Sequence, residues 1–143
     1  MKVQDLLESK GKDIISIDAD SSVEDAITTM NAKKISAVIV TSGGKTAGIF
    51  TERDVVRAYI ASKGKNFKDV KVREGMVKDL VVAVPTDDLN DIAAVMVEKN
   101  IRHLPVVENH KVIGMLSIRD VIQTQVKKLT SDIHYLRDYI SGY

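Results

Sequence analysis

The sequence repeats itself at an offset of 66 residues, and this repeat constrains the fold more than any other feature. No gap is needed from residue 13 to residue 56. Before that stretch the offset becomes 69, because the first copy carries three extra residues near Ser9, Lys10 and Gly11. The identical pairs include Asp13/Asp79, Asp25/Asp91, Met30/Met96, Lys33/Lys99, Ile35/Ile101, Val40/Val106, Gly48/Gly114, Arg53/Arg119, Asp54/Asp120 and Val55/Val121, with Lys2-Val3 matching Lys71-Val72 at the second offset. The chain is therefore a duplication of one unit.

Each copy predicts the same order of elements, β-α-β-β-α. A short apolar strand (14–17 or 80–84) precedes a helix that begins after Ser22 or Asp88, both good N-cap residues. Two further strands follow, joined by a polar hairpin turn, and a second helix opens at Thr51 or Ser117. The first helix of each copy carries an amphipathic stripe: Val23, Ala26, Ile27 and Met30, or Leu89, Ile92, Ala93 and Met96. The predicted class is α/β (α+β), with two pseudo-symmetric repeats packed together, since about 60 residues form a marginal core alone.

Composition excludes several classes of function. The net charge is +1, and no Trp is present, which argues against a nucleic-acid-coating protein. The absence of Cys excludes disulfides and thiolate chemistry, and the three His residues cannot complete a zinc site without carboxylates. The charged N-terminus lacks the apolar stretch of a signal peptide, and no apolar run reaches the ~18 residues of a membrane span. A cytoplasmic protein is the simplest expectation.

The strongest local motif runs from Gly48 through Thr51 and Arg53 to Asp54, and it recurs from Gly114 to Asp120. Thr or Ser three residues before Asp at a helix start also describes a plain capping box. The box does not require the Gly or the Arg, and both occur twice in register. A helix N-terminus suits a phosphate, a hydroxyl with a carboxylate can hold the two hydroxyls of a ribose, and Gly would let a ligand approach the backbone.

The duplicated unit, the motif and the stretch from Asn100 to Val107 resemble a pair of cystathionine-β-synthase (CBS) domains, together called a Bateman module. The resemblance covers residues 1 to about 126. It implies repeats over 1–66, with the linker, and 67–126, followed by a helical tail over 127–143. Members of this family bind adenosine nucleotides (AMP, ADP or ATP), or NAD or S-adenosylmethionine, in clefts between the repeats. They act as energy or metabolite sensors and usually lack catalysis of their own.

Carried over residue by residue, the resemblance predicts two clefts. The first would hold the ribose on Thr51 and Asp54, the phosphate on Arg53, Arg102 and His103, and the adenine against Val81 and Pro105. The second would use Ser117, Arg119 and Asp120 with Ile15, Ser36, Ala37 and Ile39. Here Ser36-Ala37 replaces Arg102-His103, and Ile39 replaces the proline, so this side lacks cations for phosphates. We therefore expect the cleft of Asp54 to bind nucleotide more tightly than the cleft of Asp120.

Other features have less specific interpretations. For His103 a structural role is as consistent with the sequence as a role in binding phosphate, and His110 is expected to be solvated in a hairpin turn. His134 lacks a second ligand at metal spacing, so no metal site is predicted. The basic stretch 63–73 is read as a solvated linker in which Phe67 packs back on the core. The tail carries an amphipathic stripe that covers its own module or forms a dimer seam or docking face: Val126, Leu129, Ile133, Leu136 and Ile140, with Tyr135, Tyr139 and Tyr143 beside it.

The leading hypothesis is a non-catalytic nucleotide sensor that acts in signal transduction on a separate partner protein, as a homodimer. The alternative is a protein–protein interaction module with vestigial clefts that works through its C-terminal helix. An enzyme is disfavoured, because the sequence has no Walker loop and no paired nucleophile and base. Neither a membrane nor a nucleic acid is expected as a partner.

Overall fold

The computed structural model describes residues 1–141 and confirms a mixed fold of helices and strands. The elements follow in the order α1 (Val3–Lys10), β1 (Ser16–Asp18), α2 (Val23–Lys33), β2 (Ala37–Ser42), β3 (Lys45–Thr51), α3 (Glu52–Ala61), two short 3₁₀ helices (Phe67–Asp69 and Val72–Glu74), α4 (Leu89–Glu98), β4 (His103–Glu108), β5 (Lys111–Ser117) and α5 (Ile118–Ser141). Among the described helices, none combines the length and the apolar character that a membrane span needs.

The described chain forms two compact units. Unit A contains Asp13–Val81 and Asn109–Ile113, and unit B contains Met1–Lys12, Val82–Glu108 and the residues from Gly114 onward. The first twelve residues of the chain therefore belong with the second repeat. The domain boundaries 1–66, 67–126 and 127–143 stay a prediction, and Tyr143 lies outside the described residues.

Unit A is built on a three-stranded sheet in the order β1-β2-β3. Strands β1 and β2 are parallel, with Ile17 opposite Val40, and β2 and β3 are antiparallel, with Val38 opposite Phe50. Helix α2 begins where predicted, because the Ser22 hydroxyl accepts a hydrogen bond from the Asp25 N–H at 3.0 Å. The core of the unit is a continuous apolar cluster: Ala19, Val23, Ala26, Met30, Val38, Val40, Phe50, Ala58, Val70 and Val72. Phe67 packs against this cluster, as expected.

In the second repeat, the first strand is much reduced. The predicted strand over 80–84 is wrong, since within it only Ala83 pairs, by a parallel bridge to Val106. In the first repeat the Ile39 N–H donates to the Ile15 carbonyl at 3.0 Å. The repeat aligns Ile39 with Pro105, which has no N–H and cannot make the corresponding bond. The proline therefore explains why this strand shrinks to a single bridge.

Two-residue turns close both hairpins. Gly43 and Gly44 have φ of 59° and 78°, and Asn109 and His110 have φ of 52° and 64°. Positive φ at both central residues is the type I′ pattern, whose twist matches that of the flanking strands. The predicted hairpins are thus confirmed, and His110 is exposed in its turn.

Helix α1, at the N-terminus, was not predicted. In unit B the Val3 N–H donates to the Asp87 carbonyl at 2.9 Å, and in unit A the Val72 N–H donates to the Ser21 carbonyl at 2.8 Å. These two bonds are related by the repeat, so residues 2–7 have in unit B the place that residues 71–76 have in unit A. The first copy extends to Lys10 as an α-helix, whereas the 3₁₀ helix of the second copy ends at Glu74.

Helix α5 joins the second helix of the repeat to the tail without a break. Its first turns contain the buried Val121, but every residue from Val126 to Ser141 is exposed. The possibility that the apolar stripe of the tail covers its own module is therefore wrong for this structure. The stripe is an open apolar face.

Candidate functional site

The predicted ribose-binding pair of unit A lies at the junction of β3 and α3. Thr51 is the N-cap residue, and both its N–H and its hydroxyl donate to Asp54 Oδ2, at 2.9 Å and 3.2 Å. The motif therefore forms the local contacts of a helix cap. One oxygen of Asp54 accepts both of these bonds.

The second oxygen of Asp54 is the unusual atom in this cap. Asp54 is 0% exposed, and its Oδ1 is buried without a hydrogen bond from the described residues. Arg57 forms an ion pair with it at 3.6 Å, which is too long for a hydrogen bond. Burial raises the pKa of Asp54 above its ordinary value, against the opposing effects of Thr51 and Arg57. The site thus holds a buried carboxylate oxygen with unused hydrogen-bonding capacity.

The corresponding cap of unit B uses Ser117 and Asp120. The Asp120 N–H donates to the Ser117 hydroxyl at 3.0 Å, and the Ser117 N–H donates to Asp120 Oδ2 at 3.3 Å. Lys10 also takes part in this cap, because its ammonium donates to Asp120 Oδ2 at 2.6 Å and to the Met115 carbonyl. Burial alone raises the pKa of Asp120, but the bonds from Lys10 and Ser117 outweigh it and hold the pKa below its ordinary value.

Lys10 makes the two caps chemically different. It lies in the three-residue insertion that the second copy lacks, so the repeat supplies no equivalent lysine beside Asp54. Sequence reasoning located the insertion but assigned no role to Lys10. Since Lys10 and Asp120 are 110 positions apart, no local pattern could have joined them. The prediction that the side of Asp120 binds more weakly remains untested, but the ion pair is a physical reason for it.

The two glycines of the motif have a packing role that sequence reasoning missed. A Cβ at Gly48 would lie 2.5 Å from the Val77 carbonyl oxygen, and a Cβ at Gly114 would lie 2.7 Å from Leu7 Cδ2. The chain itself therefore fills the space that we expected a ligand to approach. Met76, which is also close to Gly48, aligns with Leu7 in the repeat, so both units use the same contact.

Other predicted residues lie near these caps. In unit A, the Ser36 carbonyl accepts a bond from the Glu52 N–H at 3.1 Å, and Ala37 pairs with Thr51. In unit B, the Arg102 carbonyl accepts a bond from the Ile118 N–H at 2.8 Å. Each cap thus lies directly beside the start of the second strand of its own repeat.

The remaining predicted residues differ in exposure. Arg119 on the first turn of α5 is exposed, and Pro105 in β4 is buried. The others are half-buried: Ile15, Arg53, Val81 and His103. Their assignment to clefts that combine the two repeats stays a prediction. Among the described residues no group of His, Asp or Glu side chains is arranged to hold a metal ion.

Comparison with known proteins identifies the repeated unit. The family model described as the CBS domain matches residues 3–61 and 68–127. The chain belongs to the CBS-domain family. Proteins built from such pairs are typically regulatory.

Two relatives show how far the likeness extends. The chain is 32% identical over 149 residues to the mitochondrial CBS domain-containing protein CBSX3 of Arabidopsis thaliana, across 98% of this chain and 72% of that one. It is 36% identical in sequence to the CBS-domain containing protein ATU1752 from Agrobacterium tumefaciens, which has a crystal structure. The two structures align over 87% of this chain and 99% of that one, with a TM-score of 0.82. The predicted family and fold are therefore confirmed.

A third comparison concerns a liganded CBS pair. The pair of protein MJ0100, solved in complex with 5′-methylthioadenosine and S-adenosyl-L-methionine, is 24% identical, covers 90% of this chain and 98% of that one, and has a TM-score of 0.77. At this identity the likeness establishes the shared fold.

Proposed function

We propose that this protein is a non-catalytic regulatory module that binds an adenosine nucleotide through the cap formed by Thr51 and Asp54. The observation that carries the proposal is Asp54 Oδ1, a buried carboxylate oxygen without a hydrogen bond from the described residues. An unsatisfied buried polar atom costs about 1–3 kcal/mol. Such an atom is retained at a cost in stability, which is expected where a ligand supplies the missing donor.

A ribose supplies the donors that this atom lacks. Its two adjacent hydroxyls can donate to one carboxylate, and hydrogen bonds to the ionised form offset the effect of burial on the pKa of Asp54. The N-terminus of α3 offers a partial positive charge for the phosphate, and Arg53 lies on the same turn. The 0% exposure of Asp54 means that neighbouring side chains must move aside when the ligand binds.

The adenine is proposed to lie against Val81 and Pro105, with Arg102 and His103 directed at the phosphates. In the repeat, Val81 corresponds to Ile15 and Pro105 to Ile39. The Ile39 N–H binds the Ile15 carbonyl at 3.0 Å, but Pro105 has no N–H to donate. The Val81 carbonyl therefore lacks that donor and can accept a bond from the exocyclic amino group of adenine.

The cap of Asp120 is proposed as the weaker site. A ligand hydroxyl must displace the Lys10 ammonium, which lies 2.6 Å from Asp120 Oδ2. A phosphate at this site would also lack the contacts of Arg102 and His103, because their counterparts in the first repeat are Ser36 and Ala37. The liganded MJ0100 pair supports adenosyl compounds as the ligand class, and AMP, ADP or ATP fits the cationic residues here better than an uncharged adenosyl group.

The regulatory part of the proposal follows from a ligand that bridges two repeats. A nucleotide held by residues of both repeats favours the arrangement in which both sets of contacts form. A partner protein that binds one arrangement better than the other then responds to the nucleotide, by the reciprocity of linked equilibria.

The experiment is a thermal-unfolding panel on the full chain with AMP, ADP, ATP, NAD, NADH and S-adenosylmethionine. A ligand at 100 times its dissociation constant stabilises the native state by about 2.7 kcal/mol. We expect an adenosine nucleotide to stabilise the wild type and the control variant Asp120→Ala, but not Asp54→Ala. Titration calorimetry at millimolar ligand then gives the affinity. No binding by the wild type, or equal binding by Asp54→Ala, contradicts the proposal.

A second candidate function is an interaction module whose ligand sites are vestigial. The exposed apolar stripe of α5 favours it, since an open apolar face suits a protein partner. It predicts that Asp54→Ala leaves partner binding intact and that truncation after Lys127 abolishes it.

A further inference from the structure

The exposed part of α5 carries an unbroken heptad pattern. Its apolar residues follow one another at spacings of 4, 3, 4, 3 and 4: Ile122, Val126, Leu129, Ile133, Leu136 and Ile140. Each is 50–73% exposed, so none is used to cover the chain's own core. A single helix face with this spacing forms the narrow seam of a coiled coil, because a period of 3.5 keeps the face turned to a partner helix.

We propose that this seam binds the α5 helix of a second copy of the chain as a parallel, two-stranded coiled coil. With Val126 as an a position, the a residues are Val126, Ile133 and Ile140, and the d residues are Ile122, Leu129 and Leu136. All a residues are β-branched, and two of the three d residues are Leu. This combination favours parallel dimers over trimers and tetramers.

Charge complementarity selects the same partner and the same direction. Asp132 is a g residue and Arg137 is the e residue five positions later, both on the exposed half of α5. In a parallel pair each Asp132 faces Arg137 of the other helix, which gives two attractive contacts. In an antiparallel pair of full overlap Asp132 faces Asp132, and Arg137 faces the uncharged Gln123. A second copy in parallel register therefore satisfies both the apolar and the charged positions.

The projecting segment also needs a partner for its own stability. The residues from Val126 to Ser141 are all exposed and would extend about 24 Å beyond the packed part of the helix. A helix of this length without tertiary packing is marginal in water. Pairing with an identical helix supplies the packing, and it does not depend on the nucleotide site.

Cysteine cross-linking tests the pairing and its direction on the full chain, which has no native Cys. In a parallel pair residue 136 faces its own counterpart, so Leu136→Cys is expected to form a covalent dimer on mild oxidation. Ser131→Cys, on the outer face of the same helix, is the matched control and should remain monomeric on a denaturing gel. Failure of Leu136→Cys, or equal cross-linking by Ser131→Cys, would overturn the proposal.

Neutralising Asp132 gives a second readout that a general loss of structure would not mimic. Asp132→Asn removes an attraction from a parallel pair but a repulsion from an antiparallel one. We expect sedimentation equilibrium to show a dimer whose dissociation constant rises several-fold in Asp132→Asn, and at least 100-fold in Leu129→Lys. A stronger dimer in Asp132→Asn means antiparallel pairing. An unchanged dimer in Leu129→Lys means that another surface, or a different partner for α5, is used, and either result refutes the proposal.

Discussion

The ammonium of Lys10 lies 2.6 Å from Asp120 Oδ2, whereas the ion pair at Asp54 in the other unit is a longer one of 3.6 Å from Arg57. Two carboxylates that the repeat makes equivalent therefore differ in their cations. Lys10 comes from the insertion before β1, so three added residues are sufficient to separate the chemistry of the two caps. If a carboxylate of this kind binds a ribose, Lys10 is its competitor at Asp120.

Removing Lys10 should make Asp120 available to a ligand. We expect Lys10→Met to increase the number of adenosine nucleotides bound per chain from one to two in titration calorimetry, or to strengthen a weak second binding step. The pair is partly exposed, so its loss should lower the free energy of unfolding by no more than about 1 kcal/mol. Lys12→Met, an exposed lysine two residues further on, is the control. Unchanged stoichiometry and affinity in Lys10→Met would show that Lys10 does not block the site.

The pKa of Asp54 predicts that stability decreases as pH rises. Its pKa is raised above 3.8 in the native state, so between 3.8 and the native value the folded protein binds more protons than the unfolded one. The free energy of unfolding therefore falls as pH rises through this window. Asp54→Asn keeps an acceptor for the Thr51 N–H but cannot ionise. Urea midpoints at pH 4 and pH 7 should show a smaller decline in this variant than in the wild type.

Asp120 should behave in the opposite way. Its native pKa lies below 3.8, so its contribution is fully present above that value and is lost as pH falls through the native pKa. Asp120→Asn is expected to reduce the loss of stability on acidification below 3.8, with no effect on the decline between pH 4 and pH 7. Equal pH profiles for the two Asn variants would contradict the assigned directions.

The motif glycines should tolerate alanine to different degrees. At Gly48 a Cβ would lie 2.5 Å from a backbone oxygen, and at Gly114 it would lie 2.7 Å from the end of the Leu7 side chain. A side chain can move more easily than backbone, so Gly48→Ala should cost about 3 kcal/mol and Gly114→Ala about 1 kcal/mol in chemical denaturation. The double variant Gly114→Ala with Leu7→Ala should show a coupling energy, because the smaller side chain removes the clash. If both substitutions lower the free energy of unfolding equally, the rigidity of the atom that each new Cβ approaches does not determine the loss.

The sequence predicted the elements whose signals are local. Helices α2 and α4 begin at the caps Ser22 and Asp88, and the hairpin turns lie where polar residues separate two apolar runs. Helix α1 was missed although Val3, Leu6 and Leu7 are buried at helical spacing, because eight residues give too short a pattern beside many charges. The apolar run 80–84 predicts a strand, because its hydrophobicity carries no information about the partner strand, where Pro105 has no N–H to donate.

For the site, too, the sequence predicted the local contacts but not the contacts between segments that are distant in sequence. The caps at Thr51 and Ser117 follow from the motif itself, and both form in the structure. The Lys10 contact, the burial of Asp54 and the packing at Gly48 and Gly114 depend on segments that are distant in sequence. The sequence pattern locates the two carboxylates, but the residues that pack around them can be identified only from the structure.

The place of α1 in unit B has a consequence for synthesis on the ribosome. Most of unit A is one continuous stretch, 13–81, so it can begin to fold while the second repeat is still being made. Unit B joins residues 1–12 to residues beyond 82, and Leu7 reaches its place against Gly114 only after more than a hundred further residues have been synthesised. Until then the apolar side of the N-terminal helix has no surface to cover. Residues 1–12 are thus among the last segments to be ordered, and a substitution that disturbs the packing of Leu7 would interfere with the completion of the second unit rather than the first.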